Sequence, residues 1–84
     1  KLYQNRPNPF KATTLIPFLL PQAGQVSLTV TDVSGNRIKS LEQYFEAGYH
    51  EVSIEQGDLP SPGLFFYQIK IGDQQATRKM IATQ

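Results

Sequence analysis

Eighty-four residues with 8 basic and 7 acidic side chains, net charge +1, make one small domain. This near-neutral balance lacks the basic footprint of a nucleic-acid binder, and the absence of cysteine excludes both a disulfide framework and a Cys-based zinc site. The chain is 39% apolar, enough for a packed core, yet its longest apolar run, Leu15 to Leu20, is broken by Pro17 and falls far short of the roughly 18 residues of a membrane-spanning helix.

The first segment, Leu2-Tyr3-Gln4-Asn5-Arg6-Pro7-Asn8-Pro9-Phe10, carries two prolines that fix φ and push Arg6 and Asn8 toward extended backbone. It reads as a stiff, unladdered lead-in over residues 1–12, ending in an aromatic that plugs the open end of a core, with Asn8 forming a turn. The chain begins at Lys1 and its only methionine is Met80, so it is read as a piece of a longer protein whose start is not visible.

Beyond residue 12 the apolar pattern has a period of two. In 13–20, Ile16, Phe18 and Leu20 alternate with outward positions such as Leu19; Pro17 cannot donate to a ladder, which puts this strand at a sheet edge or at a kink between sheets. The segment 25–32 alternates without a fault and points Val26, Leu28 and Val30 inward. Strands at 37–44 and 48–55 follow, the second with His50, Val52 and Ile54 in phase. The segment 63–71 is apolar on both faces, the pattern of a central strand covered on both sides. In 74–82, Arg78 interrupts the inward series Ala76, Met80, Ala82, the sign of an edge strand with the Arg stem along its rim. With a short strand at 2–4 this makes about seven strands.

Turn signals separate them: Pro21-Gln22-Ala23-Gly24, Ser34-Gly35-Asn36, Ala47-Gly48, Gly57 through Gly63, and Gly72-Asp73, the last suited to a two-residue type I′ or II′ hairpin. No stretch has the spacing and caps of a long helix. The expected fold is all-β, two antiparallel sheets packed as a sandwich over 13–84 behind the lead-in, in a single domain spanning 1–84.

Chemistry finds little to stand on. His50 is the only histidine; on a strand among apolar residues it reads as a mostly buried imidazole bonded to backbone, with no second histidine to complete a metal site. Glu51 and Glu55 fall on outward positions, and Asp32 and Asp58 at turn edges, where capping backbone N–H groups is the commoner role. The six glycines form no phosphate-binding pattern. Catalysis, a cofactor, a metal, a small-molecule substrate and nucleic acid are therefore not expected. Tyr3, Tyr44, Phe45 and Tyr49 are the only aromatics available for a sugar-binding row, which leaves an accessory carbohydrate- or protein-binding module as the alternative.

Several motifs in one order resemble the type A C-terminal sorting domain of the type IX secretion system: Leu2-Tyr3-Gln4-Asn5 with Pro7-Asn8-Pro9-Phe10, then Gly35, Ala47-Gly48-Tyr49-His50, Leu59-Pro60-Ser61 with Gly63-Leu64-Phe65-Phe66-Tyr67, and Ala76-Thr77-Arg78-Lys79-Met80. The chain departs from that pattern at Lys11-Ala12, at Pro17 and in its last residues, Ile81-Ala82-Thr83-Gln84. The resemblance implies an immunoglobulin-like sandwich and a non-catalytic address label. A cargo domain fused ahead of the label passes through the periplasm of a Gram-negative bacterium. The outer-membrane translocon and its shuttle proteins then engage the label, and the cargo reaches the cell surface or the medium. A sortase-like cysteine peptidase cuts upstream of Lys1 and the cargo is attached to the surface. Carried over by motif, the recognition residues are Pro7, Asn8, Pro9, Phe10, Gly48, Gly63, Arg78, Lys79 and Met80. The last strand is expected to offer free edge groups to a partner.

Overall fold

A computed structural model describes residues 1–83. Six strands run β1 (Thr13–Leu20), β2 (Gly24–Asp32), β3 (Arg37–Phe45), β4 (Gly48–Glu55), β5 (Gly63–Ile71) and β6 (Gln74–Ala82), with one 3₁₀ turn at Gln56–Asp58. The ladders between these strands are antiparallel: β1 with β4 in one sheet, and β3-β2-β5-β6 in the other. The chain is all-β in two antiparallel sheets, as the period-two pattern requires. The expected seventh strand at 2–4 is present as isolated bridges, Leu2 to Phe18 and Arg6 to Leu15, rather than as a ladder.

The faces follow the alternation. Ile16, Phe18 and Leu20 of β1 and Ile54 of β4 meet Val26, Leu28 and Val30 of β2, Phe65, Tyr67 and Ile69 of β5, and Met80 and Ala82 of β6. Phe10 and Leu2 enter the same core from the lead-in, Phe10 with only 1% of its surface exposed. Burying one such side chain contributes roughly 1.5–3 kcal/mol, so a chain this small depends on each of them.

Pro17 is tolerated for a geometrical reason. In an antiparallel strand alternate residues direct both N–H and C=O to the same neighbour. Leu15, Pro17 and Leu19 face the lead-in, bonding Arg6, Tyr3 and Lys1, and the even positions serve β4. The donor that Pro17 lacks belongs on the irregular side, where its carbonyl still accepts the Tyr3 N–H at 3.0 Å. The β1–β4 ladder runs unbroken from Thr13↔Glu55 to Leu20↔Gly48.

The Gly72-Asp73 hairpin resolves as type II′. Gly72 has φ 56°, and among the described residues none other than glycine has positive φ, so Asp73 lacks the left-handed backbone that a I′ turn demands. One expectation is corrected. β5 is central by hydrogen bonding, between β2 and β6, but only one of its faces is covered. Phe65, Tyr67 and Ile69 are buried, whereas Leu64 is 37% exposed and Phe66 half-buried, because among the described residues no second layer lies on the outer face of the larger sheet.

Candidate functional site

The lead-in is the least regular part of the chain and the most connected. Its first half runs antiparallel along β1, the Leu19 N–H donating to the Lys1 carbonyl and Arg6 and Leu15 exchanging both backbone bonds. From Tyr3 to Arg6 the lead-in advances one residue more than β1 does between Pro17 and Leu15. The surplus is absorbed around Asn5, whose side chain turns into the core and is 1% exposed.

There a buried polar node is fully bonded. The Asn5 amide N–H donates to the Tyr67 hydroxyl at 2.8 Å, and that hydroxyl donates to the Tyr3 carbonyl at 2.8 Å. The Asn5 carboxamide donates to the Thr14 hydroxyl at 2.9 Å and to the Pro7 carbonyl at 3.2 Å, and accepts from Gln4 at 2.6 Å. Burial pushes the Tyr67 phenol above its ordinary pKa, so it stays a neutral donor. Buried polar atoms of this kind are stable only when every one is paired, and among the described residues none is orphaned.

The second half of the lead-in crosses to the other sheet. The Ile81 N–H donates to the Asn8 carboxamide at 2.9 Å, the Phe10 N–H to the Ile81 carbonyl at 3.0 Å, and the Thr83 N–H to the Phe10 carbonyl at 2.8 Å. Gln4 donates to the Lys79 carbonyl at 2.8 Å, and the Arg78 guanidinium to the Leu2 carbonyl at 2.9 Å. Residues 1–10 thus lace the edge of one sheet to the edge of the other. Both Arg6–Pro7 and Asn8–Pro9 peptide bonds are cis.

This lacing locates the residues singled out from sequence. Pro7, Asn8 and Pro9 are exposed, Asn8 accepting from the Ile81 N–H; Arg78 and Lys79, also exposed, meet the lead-in at Leu2 and Gln4, and Phe10 and Met80 are buried in the core. Gly63 (φ 143°) opposes Ala82, which bridges Phe10, so it belongs to the same end. Gly48 (φ 123°) opposes Leu20 at the far end of β1 and stands apart. The last strand is an edge strand, as Arg78 implies, but its edge is not free. The lead-in already takes the Lys79 and Ile81 carbonyls and the Ile81 and Thr83 N–H groups. Of the unusual tail, Ile81 to Thr83 sit in this clasp, and Gln84 lies outside the described residues.

The remaining candidates have structural partners. His50 is half-buried rather than mostly buried, stacked against Phe45 and Phe18 at 4.8 and 5.5 Å between ring centres, with a ring nitrogen 2.7 Å from the Glu46 carbonyl. Among the described residues no group of three or more His, Asp or Glu side chains could hold a metal ion. Tyr3 and Tyr49 lie 6.4 Å apart, inclined at 49°, over a groove of about 340 Å³ floored by Pro17. The Tyr49 hydroxyl donates to Glu51, which raises the phenol pKa. Tyr44 is on β3 in the other sheet and Phe45 packs at the core rim, so the four aromatics form no row.

Asp32 and Asp58 cap backbone as expected. The Asn36 N–H and carboxamide, with the Ser34 N–H, hold the Asp32 carboxyl below its ordinary pKa. The Lys39 ammonium at 3.0 Å and the Glu55 N–H do the same for Asp58. A carboxyl with a folded pKa below its unfolded one stabilises above about pH 4, and that contribution is lost as pH falls through the folded value. The melting temperature is therefore expected to decline as pH drops from 5 toward 2, and Asp58→Asn to flatten part of the decline; calorimetry at a series of pH values checks both. The effect is small, since both carboxyls are solvent-screened.

The family model described as a secretion system C-terminal sorting domain matches residues 4–83. No curated protein matches the chain.

Proposed function

The chain belongs to the secretion system C-terminal sorting domain family, and we propose that it acts as a non-catalytic label read in its folded state by the type IX outer-membrane translocon and its shuttle proteins. In this reading a cargo domain joined to the N-terminus is carried through the periplasm and across the outer membrane. A sortase-like cysteine peptidase then cuts upstream of Lys1, and the cargo is attached to the cell surface.

The observation that carries the reading is the juxtaposition of the two ends of the matched region. The lead-in, with exposed Pro7, Asn8 and Pro9, and β6, with exposed Arg78 and Lys79, are some 70 positions apart in the chain and are joined into one side of the sandwich by the Asn8–Ile81, Gln4–Lys79 and Leu2–Arg78 bonds. A partner binding there reads a shape present only in the folded sandwich. Phe10, Met80 and Gly63 support that surface from below, and Gly48 sets the turn into β4.

The test is export of a periplasmic reporter fused ahead of residues 1–84 in a host with this system. The fusion is expected at the surface or in the medium, and Lys79→Glu is expected to reduce export at least tenfold with an unchanged melting temperature. A wild-type fusion retained in the periplasm would overturn the sorting role; normal export of Lys79→Glu would overturn recognition at β6.

The Tyr3–Tyr49 groove favours a second reading, an accessory module that holds a single sugar ring or a peptide side chain. Glycan-array binding that disappears in Tyr49→Ala would support it.

A further inference from the structure

We infer that the free edge of β4 is a strand-addition site for an extended, cationic segment of a partner protein. It is the opposite edge of the small sheet from the lead-in, and the inference stands whether or not the sorting role holds.

The edges of the sandwich are not equivalent. The lead-in carries Pro7 and Pro9 and is bonded to β6, whose C-terminal half it covers. The edge of β3 is broken by a register shift at Val30/Thr31 and carries Arg37, Lys39 and Glu42. Bulges, prolines and edge lysines are the usual devices that stop a strand from templating another. β4 has none of them: eight residues, GYHEVSIE, in unbroken register with β1, without proline, lysine or arginine. Its even positions face β1, so the backbone groups of Tyr49, Glu51 and Ser53 point outward. Among the described residues none of these groups bonds any backbone outside the strands. Only at Glu55 is the outward N–H taken, by Asp58.

Charge selects the occupant. The acidic side chains of β4, Glu51 and Glu55, are both exposed, and Glu46 precedes the strand. Among the described residues the one cation paired with Glu51, Arg6, is 3.9 Å away and itself largely exposed, which leaves the carboxylate reachable. Two copies joined edge to edge would gather four glutamates along one seam within a Debye length, which opposes self-association. A strand bearing lysine or arginine gains backbone bonds and charge pairing together.

The probes are an end-capped seven-residue peptide alternating lysine and valine and its glutamate-for-lysine counterpart, titrated into the ¹⁵N-labelled 84-residue chain. The lysine peptide is expected to shift the amides of Tyr49, Glu51 and Ser53, and to bind at least tenfold more tightly than the glutamate peptide. Ser53→Pro removes an outward donor without touching the β1 ladder and is expected to weaken binding at least tenfold. Glu51→Lys, which leaves the backbone alone, is expected to narrow or reverse the preference between the peptides. No binding, equal affinity for both peptides, or shifts centred on β6 at Gln75 and Thr77 would each overturn the proposal.

Discussion

Deleting residues 1–10 is expected to unfold the domain. The deletion removes Leu2 and Phe10 from the core, and core truncations of Leu and Phe cost about 2–5 and 3–5 kcal/mol respectively. It also strips the lead-in partners of Leu15, Pro17, Leu19, Ile81 and Thr83 and leaves the buried Tyr67 hydroxyl with neither of its bonds. At about 0.05–0.15 kcal/mol per residue, a chain of this length has a total stability of about 4–13 kcal/mol. The losses match or exceed it. Circular dichroism and amide dispersion should show a collapsed, non-cooperative species at 25 °C; a cooperative melt in the truncated chain would refute the expectation.

That result bears on how such a label can be detached. A segment that laces both sheets cannot be cut internally without destroying the surface formed with β6. Removal compatible with an intact label has to fall upstream of Leu2, where the exposed Lys1 is hydrogen-bonded only by exchanging backbone bonds with Leu19. The proposed peptidase cut satisfies this condition. Under the proposed function, the stability of the label and a cut upstream of it both follow from one arrangement, and an export defect from lead-in mutations has to be separated from simple unfolding by measuring the melt of each variant.

The strands were legible in the sequence and their lacing was not. Period-two alternation places β1, β4, β5 and β6 at the bounds the structure gives, because one face of each is buried and a one-residue slip would turn the whole strand over. Turn residues do the rest, Gly72 above all. The lead-in has no such pattern: two prolines and a polar tract read as unpaired, and its bonds go to β1 and β6, which only the folded chain brings near. Asn5 shows the limit most clearly. A buried carboxamide is invisible to a rule that sends polar residues outward, and the hydroxyl that takes the backbone N–H of the same residue is 62 positions away. A signal did exist at the other end: Tyr67, in phase with Phe65 and Ile69, had to be buried, and a buried tyrosine hydroxyl requires a partner. The covered edge of β6 was missed for the same reason, since edge status follows from strand order but occupancy follows from the lead-in.

The Asn5–Tyr67 node gives the second large effect. Tyr67→Phe keeps the ring but leaves the Asn5 N–H and the Tyr3 carbonyl without their partner, which costs about 1–3 kcal/mol for buried groups. Asn5→Ala removes the bonds to Thr14, Pro7 and Gln4 and opens a void, for about 2–4 kcal/mol. The two side chains do not bond each other; the Tyr67 hydroxyl meets only Asn5 and Tyr3 backbone. Both nevertheless act on one object, the extra residue that lets the lead-in dip into the core. Once either is lost that bend relaxes, so the second loss removes less. The double variant should therefore be more stable than the sum of the single losses predicts by at least about 0.5 kcal/mol, read from urea unfolding of all four proteins. Additivity within about 0.3 kcal/mol would mean that the node holds two independent contacts rather than one bend.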